Sequence, residues 1–188
     1  MRVQECEIPD VKLLTPQRKQ DTRGWLSEVW RVDHLASVGI HCTFVQENTS
    51  WSASAFTIRG LHFQVAPMEQ GKLVRVVRGA IFDVALDVRR GSPSYGRYVA
   101  LRLSAGGGDL LWIPPGFAHG FCTLEPETEV MYLLTCLYSA EHERGFAWDD
   151  PDLAIPWPRG GAPNVSERDR SHEPFTAARR REAGPGSL

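Results

Sequence analysis

Residues 56–79 read FTIRGLHFQVAPMEQGKLVRVVRG. Apolar and β-branched residues run through both halves of this stretch. Thr57-Ile58 leads into Gly60 and then Leu61-His62-Phe63-Gln64, and Leu73 to Val77 is a second run that Gly79 breaks, so two strands are expected. In a strand, His62 and Gln64 point to one face and Leu61 and Phe63 to the other. Gly60, just before His62, supplies a bulge or a close backbone approach. Arg59, His62 and Lys72 are therefore expected on one concave surface. A strand histidine is more often a packed one, but three grouped cations call for an anion to offset them.

Upstream of this stretch, Phe44 to Asn48 forms a strand candidate with Gln46 and Asn48 on one face, and the small, polar Ser50 to Ala55 reads as a loop. Asp33 to Val38 is one or two turns of helix ended by Gly39. Trp25 to Trp30 is a strand, Asp21 to Gly24 a turn, and residues 1–20 one short edge strand around Val11 to Leu14. Downstream, Phe82, Val84, Leu86 and Val88 alternate with Asp83, Ala85 and Asp87. Strands follow at Tyr98 to Ser104 and Leu110 to Ile113, the latter stopped by Pro114-Pro115-Gly116. Glu129 to Tyr138, EVMYLLTCLY, is the longest candidate, with Val130, Tyr132, Leu134, Cys136 and Tyr138 on one face. Two inward tyrosines there are either packed core residues or need hydroxyl partners or a ligand. Trp148 to Pro158 reads as turns pinned by tryptophans, and Ser166 as the cap of a short helix.

Many short strands broken by Gly and Pro, with little helix, give an all-β chain and a double-sheet jelly roll. The 188 residues are expected to form a single domain, with short C-terminal helical segments and a frayed tail over 178–188. A net charge of −2 gives no global field for nucleic acid or an anionic membrane, so no nucleic-acid or membrane partner is expected. No apolar run reaches membrane-spanning length. The start, MRVQECEIPDV, has no signal-type apolar region, and four cysteines without metal spacing fit reduced thiols in the cytoplasm.

Three stretches together, RGLHFQ (59–64) with QGKLVR (70–75), WIPPGFAHGF (112–121), and WDDP (148–151) through IPWP (155–158), resemble the dTDP-4-dehydrorhamnose 3,5-epimerase family over about residues 5–172. That resemblance implies a cupin-type jelly roll, a homodimer exchanging N-terminal strands, no metal or other cofactor, and a thymidine diphosphate 4-keto-6-deoxyhexose as substrate. It places the family's base on His62, its partner carboxylate on Asp169, its proton-donating tyrosine on Tyr132 and its thymine-stacking aromatic on Tyr138. Substrate contacts fall on Arg23, Glu28, Gln46, Asn48, Arg59, Lys72, His119, Glu143 and Arg168. Two positions depart from the family's habit: Leu133 stands where a lysine often follows the donor tyrosine, and Cys136 where a polar residue is common. They leave open an enzyme that inverts only carbon 3 or only carbon 5.

The chemistry suits these residue types. Epimerisation beside a ketone removes a proton from one face and delivers one to the other. A neutral imidazole suits removal, a carboxylate fixes its tautomer, and a phenol can donate. Lys72 can stabilise charge on the carbon-4 oxygen, worth about 3 kcal/mol. Arg23, Arg59 and Arg168 suit a pyrophosphate. A metal-dependent cupin wants two closely spaced histidines and a carboxylate, whereas here Gln64 follows His62 and Lys72 sits where a ligand would be useful. A non-catalytic sugar-binding jelly roll would explain the arginines but not a His–Asp pair facing a tyrosine.

Overall fold

The computed structural model describes residues 1–175; the tail expected over 178–188 lies outside them. In chain order the elements are β1 (Arg2–Glu5), β2 (Lys12–Thr15), β3 (Arg18–Asp21), β4 (Gly24–Ser27), α1 (Val32–Ser37), β5 (Gln46–Ser52), β6 (Thr57–Gln64), β7 (Lys72–Arg78), β8 (Ala80–Asp87), β9 (Tyr98–Ser104), β10 (Leu110–Ile113), β11 (Phe117–Thr123), β12 (Thr128–Leu134), β13 (Glu143–Gly145), β14 (Asn164–Val165) and α2 (Glu167–Arg170). One sheet runs β1-β2-β10-β7-β12-β5. The other runs β13-β6-β11-β8-β9, with β14 added parallel to β6. The two sheets make a cupin-like jelly roll, and β3–β4 stand apart as a hairpin. Among the described residues no helix is long and apolar enough to cross a membrane.

Each sheet is covered on both faces. Val74, Val76, Ile81, Ala85, Leu111, Ile113, Phe117, Phe121 and Val130 fill the space between the sheets. On the outer side of the second sheet, Leu61, Val84, Leu86 and Ala118 lie under Leu153, Ile155 and Phe175. Outside the first, Leu73, Leu110 and Trp112 lie under Leu35 and Ile40 from α1 and its exit. Period-two alternation thus sorts residues between two apolar layers, not between oil and water. In β8, Val84 and Leu86 face out into the outer layer, while Ala85 faces the inner core. Asp83 and Asp87 are fully buried as well.

Several expected boundaries move. The first 20 residues hold β1, β2 and most of β3, not one strand, because β1 pairs with β2 and β2 extends the first sheet onto β10. The strand expected over Trp25 to Trp30 ends at Ser27. Ser50 to Ala55 is not all loop: β5 continues to Ser52, held by pairing from Thr128↔Ser52 to Leu134↔Gln46. The strand expected to reach Tyr138 ends at Leu134, where Lys72↔Leu134 is the last pair with β7. The sequence keeps alternating beyond that point, but the backbone there has no strand left to pair with.

Gly60 is where the second sheet departs from regularity. Along β11, His119 pairs with His62 and Phe121 with Arg59, so three steps on β6 match two on β11. The extra residue is a bulge. It turns Arg59 and His62, an odd number of positions apart, toward the same side. Gly60 has φ +124°, and a Cβ there would lie 2.5 Å from Gly120 Cα and 2.7 Å from the His119 carbonyl oxygen. Only glycine tolerates both the dihedral and the approach.

Candidate active site

A cleft of about 440 Å³ opens between the sheets and is lined by Arg59, His62, Lys72, His119, Tyr132, Arg168 and Asp169, among others. His62 and His119 come from the second sheet, Lys72 and Tyr132 from the first, so the two groups form opposite walls. A larger cleft of about 850 Å³, walled by Phe56, Trp148, Trp157 and Gly160, has no histidine, lysine or tyrosine in its lining. The smaller cleft therefore gathers His62, His119, Lys72 and Tyr132.

His62 Nε2 donates to Asp169 Oδ1 at 2.7 Å, and the Gly60 backbone N–H donates to Oδ2 at 3.2 Å. Burial alone would raise the Asp169 carboxyl, but the His62 and Gly60 hydrogen bonds outweigh it and hold the group below the ordinary value. Asp169 is placed by α2: the Ser166 hydroxyl accepts from the Asp169 N–H at 3.0 Å, as its expected capping role requires. An anionic Asp169 can only accept, so Nε2 carries the proton and Nδ1 offers the lone pair.

Lys72 Nζ donates to the His62 carbonyl oxygen at 3.1 Å. Burial pushes its ammonium down to about 8, although Asp83 and Glu143 pull the other way. Below it lies a second pair: His119 Nε2 donates to Asp83 Oδ1 at 2.6 Å, both side chains being almost wholly buried. Burial pushes the His119 imidazole below its ordinary value against the pull of Asp83, which favours the neutral form.

At the rim, Glu143 on β13 accepts from the Tyr138 hydroxyl at 2.7 Å and from the Arg168 guanidinium. Burial would raise the Glu143 carboxyl, but these two donors hold it low. Gln46 donates to Asn48 Oδ1 at 2.9 Å, and its own Oε1 accepts from the Tyr138 N–H at 2.9 Å. Asn48 pairs with Tyr132 across β5 and β12.

One expectation is corrected here, and another is not met within a single chain. Tyr138 does not share an inward strand face with Tyr132; it lies beyond the end of β12, 52 % exposed at the rim. Arg23 and Glu28 do not reach the cleft within this chain. The Arg23 side chain is 88 % exposed in the β3–β4 turn and pairs with Asp21, while Glu28 pairs with Arg31 and His34. Leu133 is also resolved: it packs in the outer layer with Leu73 and Trp112, on the far side of the sheet from Tyr132.

One residue escaped sequence reasoning. His172, three residues after Asp169, has its Nε2 3.9 Å from Asp169 Oδ1 and stands edge-on to His62 with ring centroids 5.7 Å apart. The i, i+3 spacing to Asp169 was the available signal. Among the described residues, His62, Asp169 and His172 are a group that could hold a metal ion, with ligand atoms within 4.8 Å of one another.

The sequence profile of dTDP-4-dehydrorhamnose 3,5-epimerases matches residues 5–177. This chain belongs to that family. The dTDP-4-dehydrorhamnose 3,5-epimerase of Sinorhizobium fredii is 50% identical over 175 residues, covering 91% of this chain and 88% of that protein. A crystal structure of the Bacillus anthracis dTDP-4-dehydrorhamnose 3,5-epimerase, with TDP and PPi bound, is 45% identical and superposes with a TM-score of 0.90 over 93% of this chain and 99% of that one. The Legionella pneumophila dTDP-6-deoxy-D-glucose-3,5-epimerase, in complex with dTDP-4-keto-L-rhamnose, is 37% identical with a TM-score of 0.89 over 93% of each chain.

Proposed function

We propose that this chain epimerises dTDP-4-keto-6-deoxy-D-glucose at carbons 3 and 5, through an enolate, to dTDP-4-keto-L-rhamnose. The observation that carries the reading is the His62–Asp169 pair on one wall of the cleft with Tyr132 on the other. His62 Nδ1 removes the proton beside the ketone, and Asp169 stabilises the imidazolium formed. The Lys72 ammonium stabilises the enolate oxygen in a buried setting, where charge counts most. Tyr132 delivers a proton to the opposite face. Neutral His119, its Nε2–H held by Asp83, can accept a hydrogen bond at Nδ1 from a sugar hydroxyl. Arg59 and Arg168 take the pyrophosphate, and Tyr138, with Gln46, Asn48 and Glu143 around it, takes the thymine.

Arg23 and Glu28 enter the reading as contributions from a second copy. A homodimer that exchanges its N-terminal strands would bring the β3–β4 hairpin, with exposed Trp25 and Leu26, to a neighbour's cleft. The reaction itself is assigned no metal, and a cytoplasmic location is proposed on the four unpaired thiols. The alternative of inverting a single carbon rests on Leu133 and Cys136; Leu133 faces away from the cleft, and Cys136 lies beyond the end of β12.

The test is incubation with dTDP-4-keto-6-deoxyglucose in deuterated water, with label located by NMR. Deuterium is expected at carbons 3 and 5, in inverted product. Tyr132→Phe is expected to keep exchange by His62 but slow inversion by about 10²-fold or more. Label at one carbon only would replace the double inversion with a single one, and full-speed inversion by Tyr132→Phe would move the donor elsewhere.

A further inference from the structure

Asp169 lies between two imidazoles. His62 Nε2 is 2.7 Å and His172 Nε2 3.9 Å from the same carboxylate oxygen. Zinc bound at ordinary Zn–N and Zn–O lengths with tetrahedral angles sets its ligand atoms about 3.3 Å apart, a value these two separations bracket. His172 Nε2 is buried and has no hydrogen-bond partner among the described residues. A buried nitrogen left over at a polar site marks a place for a ligand. Gly145 leaves room for this arrangement, because a Cβ there would collide with the His172 ring. The cleft gives an ion access to this group, since His62 and Asp169 line it and His62 is part-exposed.

We propose that His62, Asp169 and His172 form a binding site for one Zn²⁺ ion, which inhibits the enzyme by taking its base. Two imidazoles and one carboxylate with an open position are a donor set that zinc accepts. In the metal-free protein the His62 proton sits on Nε2, toward Asp169. Zinc takes the Nε2 lone pair, and the proton moves to Nδ1. The imidazole stays neutral, but Nδ1 no longer has a lone pair to accept a proton from substrate. Lys72 and Arg168 in the same cleft oppose a further cation, which keeps the ion exchangeable with chelator. The inhibitory half of this inference rests on His62 as base; the binding half rests only on the geometry.

Chelator-stripped protein is titrated with ZnCl₂ by calorimetry, and with Co²⁺ while its visible absorption is followed; neither readout requires turnover. One ion per chain is expected, with a cobalt spectrum of low-coordinate nitrogen and oxygen ligation. His172→Ala and Asp169→Asn should each weaken binding by at least about tenfold. The zinc concentration that halves the rate should shift by the same factor in His172→Ala, scored against that variant's own metal-free rate, and chelator should restore the parent. His172→Gln serves if the alanine variant does not fold. Absence of saturable binding, or equal affinity in the variants with thiolate-to-cobalt absorption, would overturn the site. Activity that chelator removes and zinc restores would overturn the inhibition.

Discussion

At the scale of single residues, the cleft depends on groups whose charge is set by burial. Lys72 is the clearest case. Water is excluded around it, and the ammonium loses its proton near pH 8 instead of near the ordinary lysine value of 10.5. If its role is to offset the enolate, the protonated form is the active one. The alkaline limb of the kcat profile should then begin near pH 8 and fall by about tenfold per pH unit once Lys72 is mostly neutral. Lys72→Arg keeps its charge and should lose that alkaline limb; Lys72→Met should lower kcat by about 10²-fold with less effect on KM. A kcat profile of the parent that stays flat from pH 7 to 10 would remove Lys72 from the chemistry.

At the scale of elements, the bulge in β6 is the device that builds the site. A regular strand would send Arg59 and His62 to opposite faces; the extra residue at Gly60 brings both to the cleft, and the Gly60 N–H then holds Asp169. Gly60→Ala places a Cβ against backbone atoms of β11 that have no room to yield. A loss of about 3 kcal/mol is expected, read as a Tm lower by roughly 10 °C. Gly24→Ala is the control, since Gly24 also has a positive φ but open space around it. Equal Tm losses in the two variants would show that the close approach contributes nothing. Gly60 was legible in the sequence because an isolated glycine inside a strand pattern has few other uses. So were β9 and β10, which glycine or proline bounds on at least one side. Tyr138 was misplaced because TCLY keeps an alternating pattern after β12 has lost its partner strand. Asp169 could be placed only by family likeness, since 107 residues separate it from His62. His172 had no composition or motif signal beyond its distance from Asp169.

At the scale of the whole molecule, the proposed dimer would complete a cleft that one chain leaves without Arg23 and Glu28. Arg23 and Glu28 stand clear of the cleft, and exposed apolar residues on β4 and β5, Trp25, Leu26 and Trp51, leave a surface for another copy. Strand exchange has a functional signature. His62→Ala and Arg23→Ala each damage one component, but a mixed dimer holds one site with both components intact. Random mixing should restore roughly a quarter of parent activity, measured below KM after co-expression. Additive residual rates with no recovery would mean that each chain completes its own site. Within one chain, the Gln64 side chain ties distant parts together. Its amide donates to the Met68 and Leu137 carbonyls, at 2.6 and 3.1 Å, and its oxygen accepts from the Ser139 N–H at 2.6 Å. Gln64 sits two residues from His62, the proposed base, and Leu137 and Ser139 flank Tyr138. The side chain is a tie rod: the strand that bears the base and the rim proposed to grip the nucleotide are fastened to one amide, so slack at one end is felt at the other. Cutting it with Gln64→Leu should loosen the grip on the nucleotide and raise KM several-fold more than it lowers kcat. A variant whose KM matches the parent would show that the two ends hold their positions independently.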